Sequence, residues 1–157
     1  MGINWGATLT QISQKDGTST TIMFNELRMG LVPVDRRGVW AMGLAGGSVT
    51  AALSAGDCTI PNDFNEYSDD IEDCNQVRTA LGVGNTGMGF YQMGCSNDNL
   101  PNNWPNWQAQ ARSAHINGVS ACFADGSVRF ISNGVPQSIW REINNRNGGA
   151  LYDPNQF

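Results

Sequence analysis

Lysine is almost missing from this 157-residue chain, which carries it once, at Lys15, and histidine is also present once, at His115. Charged residues of all kinds make up 15 %, against about 25 % in an ordinary soluble domain. Nine Lys and Arg face fourteen Asp and Glu, so the net charge is −5. That sign excludes a nucleic-acid binder that works by neutralising phosphates. It also leaves no polybasic patch for an anionic membrane surface. No apolar run approaches the roughly 18 residues that a spanning helix needs; the longest mostly apolar stretch, Val39 to Ala45, is broken at Gly43. The opening Met1-Gly2-Ile3-Asn4-Trp5 has no basic region followed by an apolar block, and so does not read as a signal peptide. C-x-x-C is absent too. Cys58, Cys74, Cys95 and Cys122 are separated by 15, 20 and 26 residues, which disfavours a zinc or a redox motif. Three disulfide connectivities stay open beside the alternative of buried free thiols.

Neutral polar and small residues fill the space, with 19 Gly and 17 Asn. Such a chain is poor in helix formers and rich in turn formers, so it predicts short strands and long loops. The length suits one domain, 1–157. Asp16-Gly17 marks a tight turn ahead of the β-branched run Thr18 to Phe24, with Leu9 to Ile12 as the partner strand. Val39-Trp40-Ala41-Met42 is a further strand candidate, and the pliable stretch from Gly43 to Gly56 reads as a loop. An acidic loop, 57–73, holds seven carboxylates and no Lys or Arg; the rest of the chain therefore carries +2. A second loop, 82–106, is rich in Gly, Asn and Pro and contains Trp104 and Trp107. Loops of that length are usually functional, disordered or tied down.

The last third has the strongest hairpin signal, Gly118 to Ala124, Asp125-Gly126 and Ser127 to Ser132. A two-residue type I′ turn at Asp125-Gly126 would pair Phe123 with Val128, Cys122 with Arg129 and Ala121 with Phe130. Val119, Ala121, Phe123, Val128 and Phe130 would then share the core face. A helix follows, with Pro136 in its first turn, Ile139, Trp140 and Ile143 as its apolar stripe, Gly148 at its end, and Glu142 and Arg146 paired outside.

Chemistry is weighed against this framework. Ser113, His115 and Asp125 invite a hydrolytic reading. The strand between His115 and Asp125, at about 3.3 Å per residue, would however hold them more than about 20 Å apart. No G-x-S-x-G elbow is present, so His115 reads as a loop anchor near Asn133 to Pro136. Asp63, Asn65, Asp69 and Asp70 are a candidate calcium set, because hard cations take clustered oxygens. The EF-hand pattern fails, with Tyr67 at its fifth position and Ser68 where Gly is required; a solvated acidic loop is the plainer reading. Gly82-Val83-Gly84-Asn85-Thr86-Gly87 echoes a nucleotide-binding G-x-G-x-x-G but has no βαβ pattern around it. Trp104 and Trp107 are a candidate ligand platform, with packing under a loop as the default.

His115, nine residues, then Asp125-Gly126-Ser127-Val128-Arg129-Phe130-Ile131 resembles the H-X9-DG signature of prepilin-like DUF1559 proteins, a family abundant in planctomycetes. Arg112-Ser113-Ala114-His115 resembles its approach, and Gly148-Gly149 the glycine pair that often ends the domain. Asp16-Gly17-Thr18-Ser19-Thr20-Thr21 with Glu26 resembles the family's D-G-T-S-N-T signature and downstream glutamate, with Thr20 in place of the Asn. Arg37-Gly38-Val39-Trp40-Ala41 resembles another recurrent stretch, whereas His115-Ile116-Asn117-Gly118 departs from the usual His-Pro-Gly-Gly.

The resemblance implies an exported, extracytoplasmic subunit of the cell envelope, similar to the globular head of a pseudopilin or type IV pilin-like protein. The partners it implies are other pilin-like subunits or further copies of itself. This chain looks like the C-terminal portion, without the N-terminal prepilin helix. The resemblance supplies structural residues (His115, Asp125, Gly126, Asp16, Gly17, Glu26) and no catalytic ones. The expected fold is α+β, mainly antiparallel sheet with long loops and a C-terminal helix packed on it. The expected function is non-enzymatic, without cofactor, metal, nucleic acid or membrane contact. The alternative is an exported solute- or glycan-binding module at Trp104, Trp107 and the acidic loop.

Overall fold

A computed structural model describes residues 6–51, 59–65, 68–96 and 108–149. In chain order the elements are α1 (Leu9–Ser13), β1 (Ile22–Asn25), β2 (Asp69–Asp70), α2 (Cys74–Leu81), α3 (Asn85–Phe90), β3 (Cys95–Ser96), β4 (Gly118–Phe123), β5 (Val128–Ser132) and α4 (Gln137–Ile143). The fold is mixed α+β, with an antiparallel three-stranded sheet and a C-terminal helix. The chain divides into two compact units. One is built from both ends, residues 1–26 and 115–157, and the other from 27–114.

In the first unit β4 lies between β1 and β5, antiparallel to both. The stretch Leu9 to Ile12 is helical, not the strand expected of it. Thr8 and Gln11 form a capping box: the Thr8 hydroxyl accepts from the Gln11 N–H at 3.2 Å and the Gln11 side chain from the Thr8 N–H at 3.0 Å. This satisfies orphan donors of the first turn, and Ile12 is the residue α1 buries. The Thr18–Phe24 strand shrinks to Ile22–Asn25. Thr20 and Thr21 turn their hydroxyls back onto the carbonyls of Asp16 and Gly17, a local bond that competes with strand pairing.

The hairpin forms where the sequence predicts it, one residue out of the expected register. Its loop is the three-residue Ala124-Asp125-Gly126, closed by Gly126 N–H to Phe123 O and Phe123 N–H to Ser127 O, both at 2.9 Å. Of the Asp-Gly pair only Gly126 has positive φ, at 84°. That is the signature of a G1 bulge, not of a type I′ turn, which needs both residues left-handed. Cys122 therefore faces Val128, Ala121 faces Arg129, Ser120 faces Phe130 and Val119 faces Ile131. A slip of one residue exchanges the faces of the whole strand. Val119, Ala121 and Phe123 are buried as expected, but their partner from β5 is Ile131; Val128 is 68 % and Phe130 50 % exposed.

The helix α4 starts after Pro136, which takes the N-cap position and not the first turn, and it ends at Asn144, short of Gly148. Trp140 and Ile143 are buried and Ile139 is half-buried. Arg146 lies beyond the helix, so the expected i,i+4 pair with Glu142 has no helical frame.

The second unit has little regular structure. β2 and β3 pair in parallel, and α2 buries Cys74 and Val77. Gly82, left-handed at φ 67°, caps α2, and Gly84 is the N-cap of α3, so the glycine-rich stretch serves as helix punctuation. A helix and a strand thus occupy part of the segment expected to be loop. Met88 and Met93 join Ile71, Cys74, Val77 and Cys95 in one buried cluster. Val39–Met42 is a series of turns and no strand, with Trp40 87 % exposed. Gly38, at φ 74°, breaks the extended path there, and a Cβ on it would meet the Arg28 carbonyl oxygen at 2.7 Å.

Candidate functional site

The signature residues gather in the first unit. Asp16 is buried, and its two carboxylate oxygens accept from the N–H groups of Gly148 and Gly149 at 2.7 and 2.8 Å. A residue near the start of the chain thereby fastens the segment that follows α4, 132 residues on. Gly17 supplies the turn, at φ 87°. Thr18 and Thr21 accept, through their carbonyls, from the N–H groups of Asp125 (3.1 Å) and Ala124 (2.8 Å), so the two signatures are clasped to one another. Asp125 accepts from the Ser127 N–H at 2.9 Å and its hydroxyl at 2.7 Å, closing the hairpin loop. The Ser127 hydroxyl, and then its N–H, hold the Asp125 carboxyl below the usual carboxylate range.

Glu26 follows β1. Its Oε2 accepts from the Ser120 N–H at 2.9 Å, and its N–H donates to the Ser120 carbonyl at 3.0 Å, which extends the β1–β4 ladder by one residue. Its Oε1 lies 3.4 Å from Nε2 of His115. The His115 ring stands edge-on to Phe130, centroids 6.4 Å apart, with its side chain 62 % exposed. His115 thus sits on an open sheet face beside Glu26, while Asp125 is at the turn, beyond the far end of β4. Within this unit His115, before β4, and Asp125, after it, are not brought together.

The second unit holds a centre that sequence reasoning missed. Arg37 grips Asp35 with a two-pronged contact, Nε to Oδ1 at 2.9 Å and Nη2 to Oδ2 at 2.8 Å. Its Nη1 donates to Asp69 Oδ2 and to the Met93 carbonyl, both at 2.9 Å. Arg112 grips the same Asp69, Nε to Oδ2 at 2.6 Å and Nη2 to Oδ1 at 2.9 Å. It also donates to Ser68 Oγ and to the Asp63 carbonyl. The four charged side chains are no more than 3 % exposed. Burial alone would raise the Asp69 pKa, but the guanidinium of Arg112, and then that of Arg37, outweigh it and hold the carboxyl below its ordinary value.

This centre corrects two expectations for the acidic stretch. Its described residues are not a solvated loop, since Asp63, Asp69, Asp70 and Asp73 are buried and Glu72 alone of the described carboxylates is exposed. Nor do Asp63, Asn65, Asp69 and Asp70 assemble as calcium ligands. Asp69 is the counter-ion of two arginines, and Asp63 accepts from the N–H groups of Thr59 and Asn65. Among the described residues no group of three or more His, Cys, Asp or Glu could hold a metal ion. Asp73 and Glu72 in turn meet Arg36, at 2.6 and 3.4 Å. The one signal in the sequence was the imbalance itself: with no Lys or Arg in the stretch, any carboxylate buried there has to take its cation from elsewhere in the chain.

Cys74 and Cys95 form a disulfide across 21 positions, and Cys122 is a half-buried free thiol. Cys58, Trp104 and Trp107 lie outside the described residues.

The arrangement defines a class: an α+β protein whose signature side chains bind its own main chain. A family model described as "Protein of unknown function (DUF1559)" matches residues 2–138, and the chain belongs to that family. Neither a curated protein nor a solved structure matches it. Among the described residues no helix is long and apolar enough to cross a membrane.

Proposed function

We propose that this chain is a non-enzymatic structural subunit, similar to the globular head of a pseudopilin or type IV pilin-like protein, acting outside the cytoplasm in the cell envelope. Its partners are other pilin-like subunits or further copies of itself. The observation that carries the reading is the employment of the signature carboxylates. Asp16 and Glu26 hold the backbone N–H groups of Gly148, Gly149 and Ser120, which is architectural work. A buried disulfide suits an oxidising compartment. The outer face of the sheet also presents Phe24 and Val128 on either side of Cys122, with Phe130 in the adjoining row, an apolar surface fit for another subunit.

The test combines sedimentation velocity of the purified chain over a concentration series with cross-linking to pilin-like subunits of the same organism. Association that Val128→Asp and Phe130→Asp abolish while the fold persists supports the reading. A chain that stays monomeric, captures no such subunit and binds a sugar or solute saturably in calorimetry overturns it in favour of the solute- or glycan-binding module.

A further inference from the structure

The residues of both signatures, Asp16, Gly17 and Glu26 with His115, Asp125 and Gly126, lie in the unit made from the two ends of the chain, and that unit is interrupted once, between Glu26 and His115. The two residues at the interruption are in contact, His115 Nε2 to Glu26 Oε1 at 3.4 Å, and the Glu26 main chain is already paired with Ser120. The chain therefore leaves the first unit at Glu26 and re-enters it at His115, two residues that touch each other. What lies between has the parts of a separate structure. It holds its own apolar cluster around Val77, Met88 and Met93, its own disulfide, Cys74–Cys95, and its own buried charge centre, Arg37–Asp69–Arg112. The first unit closes by different means: the Asp16 clasp on Gly148 and Gly149, and the ladder β1-β4-β5.

We infer that residues 27–114 are an inserted cassette that opens and closes independently of the signature-bearing frame, with Glu26 and His115 as the points where the chain leaves and re-enters that frame. The sheet frame can then remain assembled, and keep any partner bound to its outer face, while the cassette opens. Insertions succeed where the host's two ends lie close together and few contacts need to be broken.

Amide hydrogen exchange by mass spectrometry on the full chain tests this, because exchange reports the local opening free energy of each segment. The double substitution Cys74→Ala, Cys95→Ala removes the loop closure of the cassette alone. It is expected to speed exchange in peptides from 68–96 on the order of a hundredfold, and to leave peptides from 118–132 unchanged. Asp16→Ala is expected to do the converse, on the order of tenfold or more in 118–132 with no change in 68–96. Should the double variant fail to fold in the cassette, the frame peptides must still be protected. Equal acceleration of both sets in either variant makes the chain one cooperative unit and overturns the inference. Acceleration of neither set shows that these contacts do not hold the units and overturns it as well.

Discussion

Asp69→Asn probes the charge centre with almost no change in volume. The carboxylate accepts on Oδ2 from Arg37 and Arg112 and on Oδ1 from Arg112. The amide keeps one acceptor and turns an NH2 group onto a guanidinium N–H, donor against donor. Asp35 still neutralises Arg37, whereas Arg112, which also donates to Ser68 Oγ and to the carbonyls of Asp63 and Gln92, loses the negative charge of Asp69. Breaking a buried pair by removing one partner costs about 3–5 kcal/mol, which for a chain of this size lowers Tm by about 10 °C. The pH dependence has a definite sign. The folded-state pKa of Asp69 is below its unfolded value, so the stabilisation is complete above the ordinary carboxylate pKa and is lost as pH falls through the folded one. Urea unfolding of the wild type and the variant, from pH 8 down to pH 3, is the assay. The gap between them is expected to be constant near neutrality and to close in acid below about pH 4. A gap under about 1 kcal/mol at pH 7, or one that widens in acid, refutes the reasoning.

The hairpin register has its own test: Phe123→Ala, at a buried position, is expected to cost about 3–5 kcal/mol, and Phe130→Ala, on the open face, under about 1 kcal/mol by chemical denaturation; equal costs would restore the two-residue turn. Asp16→Ala removes two charge-assisted bonds to Gly148 and Gly149, and is expected to lower stability by about 2–3 kcal/mol, with an undisturbed midpoint as the contrary result. Gly118→Ala would set a Cβ 2.4 Å from the Ile131 carbonyl oxygen and 2.5 Å from the Phe130 ring, so a loss of about 1–3 kcal/mol is expected in thermal melts. Non-reducing peptide mapping is expected to return the Cys74–Cys95 linkage and a Cys122 peptide that alkylates without reduction; Cys122 found in a disulfide contradicts the assignment.

Local patterns were legible where the physics is local. Asp125-Gly126 between two strand-like runs does make a hairpin, and Trp140 and Ile143, three apart, do form the buried stripe of a helix. Thr8 and Gln11 form a capping box that marks α1 as a helix, a local signal that outweighs the strand-like apolar content of Leu9 to Ile12. The Val39–Met42 error has the opposite origin: apolar side chains suggested a strand, while Gly38 beside them had already bent the path. The acidic stretch failed for a third reason. Within it Asp69 is held by Arg37 and Arg112, 32 and 43 positions away, and no short window of sequence contains both sides.

The linear chain by itself determined the α+β character, the place of the hairpin and the last helix, and the signature residues that identify the family. These rest on propensity, turn chemistry and side-chain period, which neighbours in sequence decide. Tertiary structure alone decided which face of β5 is buried, because one left-handed residue at Gly126, in place of two, moves the register by one. It also decided that Cys74 joins Cys95, that Asp16 holds Gly148 and Gly149, and that Asp69 lies between two arginines. Each is a choice among distant partners, made by the enclosing fold through burial and hydrogen bonding, which spacing along the chain does not encode.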